Sequence, residues 1–302
     1  MRNAFLAKIT ELATKDRDIV LLTGDLGFGV FEKFEASFPG QYFNVGVAEQ
    51  NMTGLASGLA LEGKKVITYS IGNFATLRCL EQIRNDACYH DLNITIVAMG
   101  GGFSYGSLGM SHHATEDIAI MRALPAMRVV VPGTVWEVGE ATQALINYDG
   151  VGYLRLDKTV FEGGSAPFSL GGSIRYKEGS DVTLLTTGGI LRDVVEAAQL
   201  LKLQGVDASV VSMHSIKPLD KDAIIVAAKE TGGIVTVEEH NIVGGLGSAV
   251  AEVCMDNGLS PKAFLRIALR DEYSSIVGSQ DYLKAHYGMD ATSIFEKVIR
   301  LL

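Results

Sequence analysis

Apolar residues along the chain fall into two alternating patterns. Short runs rich in branched and aromatic side chains at 19–23, 66–70, 94–99, 128–131 and 153–156 read as strands, and helical patterns separate them. The first helical stretch places Phe5, Ile9, Leu12 and Ala13 on one stripe. Strands alternating with helices predict a parallel sheet wrapped by helices. A glycine-rich, weakly patterned stretch at 163–179 interrupts the alternation and is read as a linker. Strands then resume at 182–187, 208–213, 234–237 and 265–269, with a clear amphipathic helix carrying Val194, Val195, Ala198 and Leu201. The expected fold is α/β: two doubly wound α/β domains, 1–162 and 180–302, joined by 163–179.

One junction stands out within the first block. Tyr42, Phe43 and Val45 suit a strand, whereas Ala48, Met52, Leu55, Ala56, Leu59 and Ala60 recur at helical spacing, so Glu49 sits where strand turns into helix. The positive end of the helix dipole is reason enough for an acid there. Gly46, Gly54 and Gly58 clear side chains from its surroundings, so a ligand or another backbone can approach closely.

Composition narrows the class. The 302 residues carry 26 basic against 35 acidic side chains, a net charge of −9, with no basic run, which argues against nucleic acid as the main ligand. Cys79, Cys88 and Cys254 form no C-x-x-C pair and are read as core residues of a protein in a reducing compartment. No apolar run is long enough to span a bilayer, and the charged, amphipathic start is unlike a signal peptide, so a cytoplasmic protein is expected.

Three further segments carry candidate chemistry. Thr23-Gly24-Asp25-Leu26-Gly27 ends the first strand, where open α/β sheets place ligands; Asp25 is equally readable as a turn former. Phe74, in Ser70-Ile71-Gly72-Asn73-Phe74, is by default a core residue. Ser111-His112-His113, followed by Glu116-Asp117, offers imidazoles, but adjacent rings diverge and no further Cys or His lies nearby, so no metal site is expected. A satisfied surface or core role suits either histidine equally well.

The run from Phe38 to Asn51, followed by Gly54-Leu55-Ala56-Ser57-Gly58, resembles the pyrimidine-binding domain of transketolases and 1-deoxyxylulose-5-phosphate synthases. Ser215-Ile216-Lys217-Pro218 and Glu238-Glu239-His240 through Gly244-Gly245 resemble the C-terminal domain of the same enzymes, where His240 is structural by default and the glycine pair is a possible phosphate cradle. The resemblance implies a cofactor, thiamine diphosphate, with Mg2+. Glu49 is then the catalytic acid that bonds N1′ of the aminopyrimidine, Phe74 packs on its ring, and Asp25 lies near it. His112 is a catalytic residue that reaches the substrate, and His113 beside it is a second substrate-binding residue. Arg155 resembles a phosphate-binding arginine, with a surface salt bridge as the plain alternative.

The family's Gly-Asp-Gly motif and downstream Asn pair, which hold the diphosphate and its metal, are missing. The chain therefore resembles the C-terminal subunit of a split transketolase. A separate N-terminal transketolase subunit is expected to carry the diphosphate-binding domain and Mg2+, in a heterotetramer, with a homodimer when the chain is alone. The expected reaction moves a two-carbon ketol unit between sugar phosphates. The alternatives are the β subunit of a 2-oxo acid dehydrogenase, a deoxyxylulose phosphate synthase-like enzyme, and a non-catalytic regulatory subunit. Family positions that contact sugar oxygens and phosphate fall on Gly29, Gly100 and Leu108. The expectation is therefore an unusual sugar, or a phosphate anchored by the partner subunit and by the 100–109 loop, with Ser104, Tyr105 and Ser107 as replacement donors.

Overall fold

A computed structural model describes residues 1–159, 161–164 and 166–302. Its strands are β1 (Ile19–Thr23), β2 (Tyr42–Asn44), β3 (Lys65–Ile71), β4 (Ile94–Met99), β5 (Arg128–Val130), β6 (Val151–Leu156), β7 (Ile174–Lys177), β8 (Val182–Thr187), β9 (Ala208–Ser212), β10 (Ser215–Lys217), β11 (Ile234–Asn241) and β12 (Phe264–Leu269). One sheet has seven strands in the order β10-β5-β6-β4-β3-β1-β2, and the other has five in the order β12-β11-β8-β9-β7. Both are parallel except at one edge, where β10 runs antiparallel to β5 and β7 antiparallel to β9.

The strand period sets the layers. In β1, Ile19 and Leu21 enter one core with Phe5 and Ile9 of the helix Arg2–Lys15, while Val20 and Leu22 enter another. That second core continues without a break into the five-stranded sheet, through Leu185, Val211, Met213 and Leu246. A third core covers the outer face of the second sheet, where Leu184, Val210 and Val237 meet Val194, Leu201 and Ile294. Each fully buried aliphatic side chain of this kind contributes about 1.5–3 kcal/mol. All three cysteines are free and buried.

Two features depart from the sequence expectation. Residues 174–177, inside the stretch read as linker, form the edge strand β7, held to β9 from Ile174 to Lys177. Only Ile174 of that strand is buried, so its apolar signal is weak. More consequentially, β10 comes from the second block yet completes the first sheet, with Ser215 opposite Val130. The two sheets thus share a strand exchange as well as a core.

Candidate active site

Loops after β1, β3, β4 and β6 all leave the carboxyl ends of a parallel sheet, the edge where open α/β sheets gather ligands. Glu49 opens the helix Glu49–Leu61 there. Gly46, at φ +77, turns the chain from β2 into that helix, a conformation glycine adopts freely. The Glu49 side chain is 2 % exposed; its Oε2 accepts a hydrogen bond from Arg78 Nη1 at 2.6 Å and its Oε1 one from Ser70 Oγ at 3.4 Å. Gly24 faces it, close enough that a Cβ would lie 3.5 Å from Glu49 Cγ. Asp25 is exposed at φ 55 and braces the ends of β1 and β2: its N–H donates to Asn44 Oδ1 at 2.9 Å and its carboxylate accepts from Asn44 Nδ2 at 3.1 Å.

Phe74 lies in the turn Gly72–Ala75 directly after β3 and is half-buried. Asn73 ties that turn to the next loop, donating to the carbonyls of Ser111 at 3.3 Å and His113 at 2.8 Å. His112 is thereby placed edge-on to Phe74, ring centroids 5.2 Å apart, with its Nδ1 3.0 Å from Ser111 Oγ. The Arg78 guanidinium that pairs with Glu49 also lies over the Phe74 ring, its Cζ 4.4 Å from the centroid. A buried carboxylate and an aromatic face therefore hold one flat, nitrogen-rich cation between them. That is the donor geometry and shape of an aminopyrimidine edge, so the residues present fit such a ring.

His113 and Arg155 are not brought to this face. His113 turns inward: its Nε2 meets the Gly106 carbonyl at 3.1 Å, its ring packs edge-on against Phe103, and it is 3 % exposed. The substrate role expected for it is corrected to support of the loop after β4. Arg155 is 2 % exposed, donates to the carbonyls of Ala114 and Glu239, and faces the carboxylates of Asp117 and Asp157 at 3.4 and 3.7 Å. Those two charges hold its pKa above the ordinary arginine value against the opposing cost of burial. It is neither a phosphate ligand nor a surface salt bridge. It locks the seam between the two sheets, with Gly101 packed so tightly on it that a Cβ would collide with its guanidinium.

Lys158, two residues beyond the end of β6, was missed in the sequence. It is exposed, its Nζ sits 3.9 Å over the Tyr105 ring, and with Arg2 it lines a cleft of about 470 Å³. Burial and the charge of Arg2 both pull the Lys158 pKa down, a strain that an anion bound between them relieves. Tyr105 also connects this cleft to His112, ring centroids 6.4 Å apart. Its ring takes the space a side chain on Gly100 would need, since a Cβ there would run into it. Of the other expected donors, Ser104 is buried and accepts from the Lys158 N–H, and Ser107 is exposed. At the second block's glycine pair, the Glu238 carboxylate already caps the following helix, so no phosphate cradle is open there. Among the described residues no group of three His, Cys, Asp or Glu side chains is arranged to hold a metal ion.

Comparison with known proteins identifies the family. The family model for the transketolase pyrimidine-binding domain matches residues 1–162, and that for the transketolase C-terminal domain matches 171–294. The chain is 35% identical to one of the subunits of the apulose-4-phosphate transketolase of Phocaeicola vulgatus, over 100% of this chain and 97% of that one. It is 36% identical to the 6-deoxy-6-sulfo-D-fructose transketolase subunit SqwH of Clostridium sp. (strain MSTE9), over 97% and 92%. A solved split-gene transketolase, described as an inactive β4 tetramer, superposes with a TM-score of 0.91 at 35% identity, covering 100% of this chain and 97% of that one. With both domains matched in order and whole subunits aligned nearly end to end, the chain belongs to the transketolase family, as a subunit of the split type.

Proposed function

We propose that the chain is the pyrimidine-side subunit of a thiamine-diphosphate-dependent, cytoplasmic transketolase that transfers a two-carbon ketol unit between sugar phosphates. In this reading residues 1–162 carry the pyrimidine site, 180–302 form the C-terminal domain, and a separate subunit holds the diphosphate and its Mg2+ in a heterotetramer. The observation that carries it is the pairing of buried Glu49 with the Phe74 face. When bound, thiamine diphosphate supplies the carbon–carbon bond chemistry. Glu49 would hold a proton at the pyrimidine ring nitrogen, Phe74 would take the ring face by stacking, and His112 would hydrogen-bond to donor sugar oxygens. Asp25 would stiffen the loop beside the ring through Asn44. Val47, Leu55, Leu77, Leu108 and Met110 are all exposed on the segments that carry the site, which supports a partner covering this edge. The inactive β4 tetramer of the split-gene relative supports inactivity without that partner.

The anionic tail of the sugar is assigned to Lys158 and Arg2, with Tyr105 between them and His112. Apulose 4-phosphate and 6-deoxy-6-sulfo-D-fructose, named for two relatives of similar identity, both carry an anionic group. Glu49→Gln tests the reading. Mixed with the diphosphate-binding partner, it should lose about 10²–10⁴-fold in ketol transfer, the range for removing a positioned proton donor, while its denaturation midpoint stays within error. A wild-type rate for this variant would remove Glu49 from the chemistry.

A further inference from the structure

The side chain that holds Glu49 is the wrong kind for a permanent partner. Glu49 is 2 % exposed, whereas the Arg78 side chain that neutralises it is 42 % exposed and is anchored on the single turn Leu77–Cys79. The backbone departs from helical geometry just before that turn, at Thr76 (φ −119, ψ −78), and at its last residue, Cys79 (φ −115, ψ 23). Arg78 can therefore swing toward solvent without dragging a long helix with it. Its two contacts, the Glu49 carboxylate at 2.6 Å and the Phe74 face at 4.4 Å, are the two assigned above to the aminopyrimidine. A guanidinium is planar, offers N–H donors along its edge and stacks through its face, so it meets both demands at once.

The geometry points to Arg78 as a displaceable plug: its guanidinium occupies the pyrimidine site, keeps Glu49 paired, and leaves when thiamine diphosphate enters. This rests on the function proposed above. Two consequences of opposite sign follow. Without Arg78 the cofactor-free protein carries a buried carboxylate with only the long contact to Ser70, so it is less stable. The cofactor, in turn, no longer has to break a charge-assisted hydrogen bond, so it binds more tightly. A residue that merely supports the site would lower stability and affinity together.

The experiment uses the assembled pair of subunits. Calorimetry gives the Kd for thiamine diphosphate with Mg2+, and thermal melting of the cofactor-free pair gives its midpoint, for wild type, Arg78→Ala, Arg78→Met and Glu49→Gln. Arg78→Met keeps most of the side-chain length, so a packing defect in Arg78→Ala does not decide the outcome. The expected result is a Kd lowered by about tenfold in both Arg78 variants, the equivalent of one pKa unit of interaction, together with a lower cofactor-free midpoint. Added methylguanidinium should restore the midpoint of Arg78→Ala and weaken its cofactor binding. A Kd unchanged or raised in both Arg78 variants overturns the plug. In that case a Kd raised by Glu49→Gln leaves the site assignment standing, and a Kd untouched by Glu49→Gln removes the assignment as well.

Discussion

Glu49 and Glu238 are a matched pair with opposite fates. Both are buried, at 2 % and 1 % exposed, and both carboxylates serve a helix start: Glu49 opens its own helix, whereas Glu238 lies within β11 and reaches the start of the helix that follows. Glu238 accepts from the backbone N–H groups of Leu246 and Gly247 at 2.7 and 2.8 Å, donors built into the start of the helix Leu246–Asp256 that cannot leave. Glu49 has a half-exposed side chain and a hydroxyl. A buried carboxylate becomes a site only when its partners can be exchanged. The same contrast separates Arg155, wedged between Asp117, Asp157 and two carbonyls, from Lys158, which lies on an aromatic ring at the rim of a cleft.

The largest test of this contrast is on stability. Glu238→Ala strands two buried amide donors, each costing about 1–3 kcal/mol, so a loss of roughly 3 kcal/mol is expected in urea unfolding. Glu49→Ala should cost less than about 1 kcal/mol, because Arg78 can turn to water. Equal losses would break the comparison. Next in size, Lys158→Ala in the assembled pair should raise KM for a phosphorylated substrate by about tenfold, the low end of a hydrogen bond to a charged group, with unchanged unfolding. If KM holds and stability falls, Lys158 belongs with Arg155.

The smallest effect, taken per pH unit, is a slope in the sealed region. Glu239 accepts from the Phe103 N–H and from Gln280 Nε2, and burial, followed by the nearby Asp157 charge, raises its pKa to about 7. The folded state therefore holds this proton more tightly than the unfolded chain, where a carboxyl titrates near about 4.3. Its contribution to stability is complete below that value and is lost as pH climbs to about 7, with a slope of at most about 1.4 kcal/mol per pH unit. Unfolding titrations from about pH 5 to pH 8 should show this decline in wild type and a flatter profile in Glu239→Gln.

Much of this organisation was legible in the sequence, for identifiable reasons. Strands such as β1, β4 and β8 are buried along their whole length, so they appear as runs of apolar residues and threonine without a charge. Glu49 and Phe74 sit in local motifs a few residues beyond a strand, and His112 in a motif of the long loop after β4. Arg78 and Lys158 were hidden because their partners come from other loops, and nothing in the run Leu77-Arg78-Cys79 says that its charge meets Glu49. For Arg155 a usable signal was present. An arginine in the middle of Tyr153-Leu154-Arg155-Leu156 lies in a strand covered on both faces, and a charge there has to be paired inside. β10 escaped notice because three residues leave no periodic trace.

That short strand also bears on how the protein is made. Val130 of β5 waits for Ser215, about 85 residues later in the chain, before its outer edge is paired. At a synthesis rate of about 5–20 residues per second, the ribosome leaves that edge open for roughly 4–17 s. An unpaired strand edge is a template for pairing with another chain, so the nascent first sheet is at greatest risk of joining its neighbours on the same message during that interval.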